Sequence, residues 1–278
     1  MITAELVRQL RERTGAGMME CKKALVAANG ELDAAAEQLR VQGLAKADKK
    51  AARVAAEGTL VIERAGLRAV MVEVNCETDF VARREEFQSF AQNVARTALS
   101  ANAASVEDVM GRAAPGGESL EETRKGLVAR IGENISVRRL AALEAPSALG
   151  TYLHGTRIGC LVALKGGSEE LARDVAMHAA AMNPEYLTPA QVPADVMQKE
   201  RAIFAEQARG ENKPADILAK IIEGKLRKRL AEITLIGQPF VKDDKVTVEK
   251  LLKGGGAEVV GLVRFEVGAG IAKTPAAH

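Results

Sequence analysis

Apolar residues recur at helical spacing through the first fifty positions and then switch to strand-like alternation. Thr3 can cap a helix that carries Leu6, Val7 and Leu10 on one face and ends near Gly15-Ala16-Gly17. Residues 18–28 repeat the pattern with Cys21, Leu25 and Ala28, and stop at Asn29-Gly30. Residues 32–42 place Ala35, Ala36 and Leu39 inward, with Gly43 just past the helix end. The Ala/Lys-rich stretch 44–57 reads as a solvated helical linker. A three-helix module over 1–43 is the expectation.

From Gly58 the period is two. Residues 59–64 and 67–75 read as strands joined by the turn Ala65-Gly66, followed by a helix with Phe87, Phe90, Ala91, Val94 and Ala98 on one stripe. A soft Ala/Gly-rich segment, 101–118, precedes a helix near 121–132. The plan then recurs, with strands at 137–144, 151–154 and 159–165 and a helix at 171–182. FAQNVARTA (90–98) and LARDVAMHA (171–179) share an apolar pattern, so the core reads as two related ββα half-units of an α+β fold. Residues 192–230 interrupt it as two charged helices around the loop 209–214, a protruding antiparallel hairpin. A final strand pair, 234–235 and 258–267, is expected to complete the second sheet. The division is thus 1–43, a linker 44–57, core subdomains 58–140 and 141–270, and a tail 271–278.

Composition narrows what such a chain can do. Of its 278 residues 47% are hydrophobic, enough for a buried core, which argues against disorder as the main state. Lys+Arg 39 against Asp+Glu 37 lacks the cationic excess of a dedicated nucleic-acid binder, and aromatics at 3% with no Trp leave few stacking platforms. Cys21, Cys76 and Cys160 form no CxxC pair and suit a reducing compartment. The N-terminus shows no apolar signal segment and no run approaches a membrane span, so the expectation is a soluble, cytoplasmic protein.

Reaction chemistry is hard to find. The sequence contains no GxxxxGK[ST] phosphate loop and no GxSxG elbow, and His154, His178 and His278 lack zinc-ligand spacing. Cys76, on an alternating strand, reads as a small core residue rather than a nucleophile. The informative stretch is NCETDFVA (75–82), where a strand gives way to a helix. Thr78 or Asp79 is placed to cap that helix, and one reading makes Asp79 the cap and Phe80 a core or staple residue. The other makes Asp79-Phe80 an exposed acidic-aromatic wedge of the kind that anchors interfaces.

That stretch, with LRERTGAGMMECKKAL (10–25), GLVARIGENISVRRL (126–140), AMHAAA (176–181) and LIGQPFVKD (235–243), resembles the bacterial elongation factor Ts family in collinear order over nearly the whole chain. The resemblance implies a guanine-nucleotide exchange factor for elongation factor Tu, in its GDP-bound and nucleotide-free forms, with no covalent chemistry, cofactor or metal of its own. It implies a ubiquitin-associated-like N-terminal module docking on the GTPase and a core of two half-units. It also implies an intruding segment, Thr78, Asp79, Phe80 and Val81, that disturbs the Mg²⁺/phosphate site. Met18, Met19 and Lys22 of the module, and Ile131, Gly132, His154 and His178 of the core, match further partner contacts. Residues 112–119 and 145–147 look particular to this chain, and the hairpin leaves monomer and homodimer both open. A rival class is a translation-associated RNA-binding protein using Lys46, Lys49, Lys50 and Arg53 with Arg227, Lys228 and Arg229. A third is an enzyme with Cys76 as its thiol.

Overall fold

The computed structural model describes residues 2–114, 116–209 and 214–272. Helix α1 (Ala4–Thr14) starts where the Thr3 hydroxyl accepts from the Leu6 amide and stops at Gly15, whose φ of 67° a side chain would resist. With α2 (Met18–Ala27) and α3 (Leu32–Lys50) it buries Val7, Leu10, Cys21, Ala24, Leu25 and Ala35. The third helix does not end at Gly43. It runs seven residues further, to Lys50, because its second half has a partner: a Cβ on Gly43 would lie 3.0 Å from the Ala129 Cβ. Ala47 is likewise buried in the core beyond, so this part of 44–57 is packed rather than solvated.

Two half-units follow. The hairpin of β1 (Glu57–Ala65) and β2 (Arg68–Cys76) leads through a short helix α4 (Asp79–Ala82) into α5 (Glu85–Ser100), whose Phe87, Phe90, Ala91, Val94 and Ala98 face the sheet as the spacing predicts. The soft segment holds a short helix α6 (Val106–Met110) with Val109 and Met110 buried. Helix α7 (Leu120–Ile131) opens with a Ser119–Glu122 capping box and closes at Gly132, and β3 (Ile135–Glu144) then pairs antiparallel with β2. The residue 140/141 division therefore falls within a strand, and residues 137–144 belong to the first sheet, not the second.

In the second half β4 (Ala148–His154) and β5 (Ile158–Gly166) precede α8 (Glu169–Met182). Helices α9 (Ala194–Ala208) and α10 (Ala215–Ile233) form the hairpin; most of its expected loop, 210–213, lies outside the described residues. A small ladder of β6 (Pro239–Phe240) and β7 (Asp243–Thr247), then α11 (Val248–Gly254), lead to β8 (Ala257–Glu266), which pairs with β5. Thr234-Leu235 is not a strand partner of that sheet. It makes one bridge, Thr234 to Tyr186, and enters a 3₁₀ turn. The sheet orders β1-β2-β3 and β4-β5-β8 are the same, each closing with a late strand against the second strand of its hairpin.

Alternation explains the layering. On β2, Val70, Val72, Val74 and Cys76 face the helices, whereas Ala69 and Met71 face Leu149, Leu161 and Ala163 of the other sheet. The sheets thus stack back to back between outer helices, and α8 covers the second sheet as α5 covers the first.

Candidate functional site: an exposed aromatic on an anchored turn

The two half-units differ at one corner. Between β5 and α8 the chain spends two residues, 167–168, and Ser168 caps α8. Between β2 and α5 it spends eight, 77–84, four of them in α4. The second half-unit turns from strand to helix without those extra residues, so the first corner is where the two differ.

Thr78 is the N-cap of α4, its hydroxyl accepting from the Val81 amide at 3.4 Å. Val81 and Ala82 form the underside of the turn and are buried in the helix-facing core. The Gln88 side chain donates to the Ala82 carbonyl at 2.5 Å and holds the far end. On the upper side Asp79 pairs with Arg83 at 3.1 Å, an exposed contact worth about 0.5 kcal/mol or less. Phe80 points away from the chain and is 80% exposed. The cap therefore falls on Thr78 and not on Asp79, and Phe80 is neither core nor staple. Single exposed apolar side chains are common on protein surfaces, so what sets this one apart is the bonded turn beneath it.

The turn is fixed from the start of β3, the strand beside β2. Glu133, between α7 and β3, accepts from the Glu77 amide at 3.1 Å, the Thr78 amide at 3.0 Å and the Thr78 hydroxyl at 2.7 Å. In return the Glu77 carboxylate accepts from the Asn134 amide at 2.6 Å. The Asn134 side chain donates to the carbonyls of Ala51 and Arg53, and Lys50 donates to the Gly132 carbonyl at 2.6 Å. Ile131 and Gly132, half-buried, thus adjoin both the Phe80 turn and the end of α3. Neither Glu133 nor Asn134 stands out in the sequence. The signal was a pair of polar residues between a helix-ending glycine and a strand, and their partners lie more than fifty positions away.

The remaining expected residues divide. Met18, Met19 and Lys22 all lie on the outer face of α2, with Met18 61% and Met19 64% exposed. His154 is exposed at the β4–β5 tip, where the Tyr152 hydroxyl and its Nδ1 are 3.3 Å apart. That tip is tied to the first sheet: Arg157 pairs with Glu57 at 2.6 Å, the Leu60 amide donates to the Thr156 carbonyl, and Glu57 stands opposite Cys76 in the ladder. His178 is different. It is fully buried on α8, packs against Phe240, donates through Nε2 to Gln238 at 3.0 Å and accepts at Nδ1 from the Val241 amide at 3.2 Å. Burial holds its pKa below the ordinary value. With no surface to offer, His178 is a neutral clamp on residues 238–241, not a contact residue as the resemblance implied. His278 lies outside the described residues.

The Cys76 thiol is buried and donates to the Thr78 carbonyl at 3.1 Å; burial first, and the nearby Glu133 and Glu57 charges second, push its pKa up to about 12. Cys160 is pushed to about 12 by burial as well. Of the cations that RNA binding would use, Lys46 is paired with Glu20, Lys50 donates to the Gly132 carbonyl, Arg53 pairs with Glu77, and Arg229 faces Glu200, Glu185 and Glu232. Among the described residues no helix is long and apolar enough to cross a membrane.

The corner thus presents an exposed phenyl ring on a turn that is hydrogen-bonded in place. Residues 77–269 match the sequence model of the family described as Elongation factor TS. The chain is 56% identical over 272 residues to the Elongation factor Ts of Francisella tularensis subsp. novicida (strain U112), covering 98% of this chain and 94% of that one. It is 55% identical over 276 residues to that of Thioalkalivibrio sulfidiphilus (strain HL-EbGR7), with the same coverage. The chain belongs to the elongation factor Ts family. Membership carries the coarse role, a nucleotide exchange factor of translation elongation that interacts with elongation factor Tu and catalyses no covalent step.

Proposed function

We propose that this protein releases GDP from elongation factor Tu by seating Phe80 between elements of the GTPase that hold the nucleotide. The single observation behind this reading is a phenyl ring 80% exposed on a turn that is itself hydrogen-bonded in place. A GTPase grips its nucleotide through phosphate-cradling backbone amides and a Mg²⁺ ion, so displacing a few of those elements weakens the grip without bond chemistry. Asp79, beside the ring on the same exposed face, would meet polar groups near that site as a hydrogen-bond acceptor. Met18, Met19 and Lys22 would supply a second, adaptable contact, since unbranched thioethers fit irregular surfaces. His154, Ile131 and Gly132 would extend the core contact.

Energetically the factor is a ligand of the nucleotide-free state. Coupling is reciprocal: whatever it does to nucleotide affinity, nucleotide does to its own affinity. Shifting a two-state equilibrium from 1:99 to 99:1 takes about 5.5 kcal/mol of differential binding. No preference for GTP is needed, because the nucleotide pool sets the direction. The test is release of a fluorescent GDP analogue from elongation factor Tu, chased with unlabelled GDP. Acceleration that saturates with this protein supports the reading, and release at the spontaneous rate at every concentration refutes it.

A further inference from the structure

The three-residue loop 132–134 does more than connect α7 to β3. Gly132 ends the helix in the left-handed region, at φ 90°, which turns the two following residues toward the Phe80 corner and the end of α3 at once. Glu133 takes two backbone amides and one hydroxyl of residues 77–78. Asn134 gives its amide to Glu77 and its side chain to the carbonyls of Ala51 and Arg53. Lys50, the last residue of α3, closes the circuit on the Gly132 carbonyl. The base of the turn and the helix that carries the N-terminal module are thus pinned to one short loop.

We propose that Glu133 is a positioning residue for exchange: its carboxylate fixes the direction in which Phe80 leaves the core, and the loop it belongs to sets that direction relative to the module bearing Met18 and Met19. The inference rests on the Phe80 wedge reading. The reason is geometric. Buried Val81 and Ala82 hold the underside of the four-residue α4, and past the last ladder pairs at Cys76 the Cys76 thiol meets the Thr78 carbonyl, but at its entry the amides of residues 77 and 78 are both taken by the Glu133 carboxylate. A carboxylate accepting two backbone amides and a hydroxyl defines that entry in three directions. Without it the ring remains exposed and apolar, so the partner is still met, but the ring arrives misaimed. A positioning defect lowers the rate within the complex, whereas a contact defect weakens the complex.

The experiment uses the full-length protein and measures GDP-analogue release from elongation factor Tu across a concentration series, for wild type, Phe80→Ala, Glu133→Ala and the isosteric Glu133→Gln. Glu133→Ala is expected to lower the saturating release rate about tenfold, since small misplacements of an acting group are costly. Its half-saturating concentration should stay within about twofold of wild type. Glu133→Gln keeps an acceptor for the two amides and a donor for the Thr78 oxygen, so it should retain most of the rate. Hydrogen exchange supplies a readout independent of activity: the amides of Glu77 and Thr78 should lose protection in Glu133→Ala and keep it in Glu133→Gln. If Phe80→Ala is slow while Glu133→Ala matches wild type, the positioning role is overturned and the wedge stands. A raised half-saturating concentration at unchanged maximal rate would make Glu133 a contact and also overturns it. If Phe80→Ala itself releases GDP as fast as wild type, both readings fall together.

Discussion

Replacing Phe80 by Ala should separate folding from function, because most of the ring lies outside the core. A phenylalanine side chain offers about 200 Å², and with 80% of the residue exposed roughly 160 Å² remains for a partner to cover. At about 25 cal/mol per Å² that is roughly 4 kcal/mol, or about 3 once the methyl kept by alanine is allowed for. If that burial is completed only when the GTPase loosens its nucleotide, losing it slows saturated release by about a hundredfold, at 1.36 kcal/mol per factor of ten. Folding should hardly notice. The remaining fifth of the ring corresponds to about 40 Å² and at most about 1 kcal/mol, a shift of about 4 °C or less in melting temperature for a chain of this size. The assay pairs fluorescent-GDP release with thermal unfolding followed by circular dichroism. Wild-type release rates from Phe80→Ala would refute the reasoning outright. A collapse in melting temperature would refute it differently, by showing that the ring is part of the core.

Other consequences are equally direct. A Cβ at Gly150 would sit 2.1 Å from the carbonyl of Ala172, where β4 meets the backbone of α8; Gly150→Ala should cost about 3 kcal/mol or more and lower the melting temperature by at least about 6 °C, and an unchanged melt would contradict the packing. The pKa of His178 is lowered in the fold, so the unfolded chain takes up its proton first; the stability from this clamp is complete above about pH 6.5 and is lost as the pH falls below it. Wild type should therefore lose more stability than His178→Gln between pH 7 and 5, by no more than about 1.4 kcal/mol per pH unit, and parallel melting curves would count against the neutral clamp. All three cysteines are buried, and burial pushes Cys76 and Cys160 to about 12. Iodoacetamide at pH 8 should leave the native mass unchanged and add three groups only after unfolding; alkylation of native Cys76 would reopen the thiol reading.

Local pattern alone determined much of this protein. The 3.6 period placed α1, α2, α5 and α8, the alternation placed the two hairpins, and the similarity of 90–98 to 171–179 announced a repeated unit, because burial of one face is written residue by residue along each element. NCETDFVA marked the corner, but whether its ring faces in or out is something no periodicity over a four-residue helix can decide. Tertiary structure decided it. Likewise Gly43 carries the local signature of a helix end, yet α3 continues through it and packs closely against Ala129 of α7. Residues 137–144 went to the first sheet because β2 was there to pair with them, and His178 went inward because Gln238 and Val241, some sixty positions on, satisfy both its nitrogens. Glu133 reaches the Phe80 turn across fifty-five residues of chain. Elements are fixed by interactions between neighbours in sequence; partners are fixed by interactions that exist only once the sheets and helices have packed.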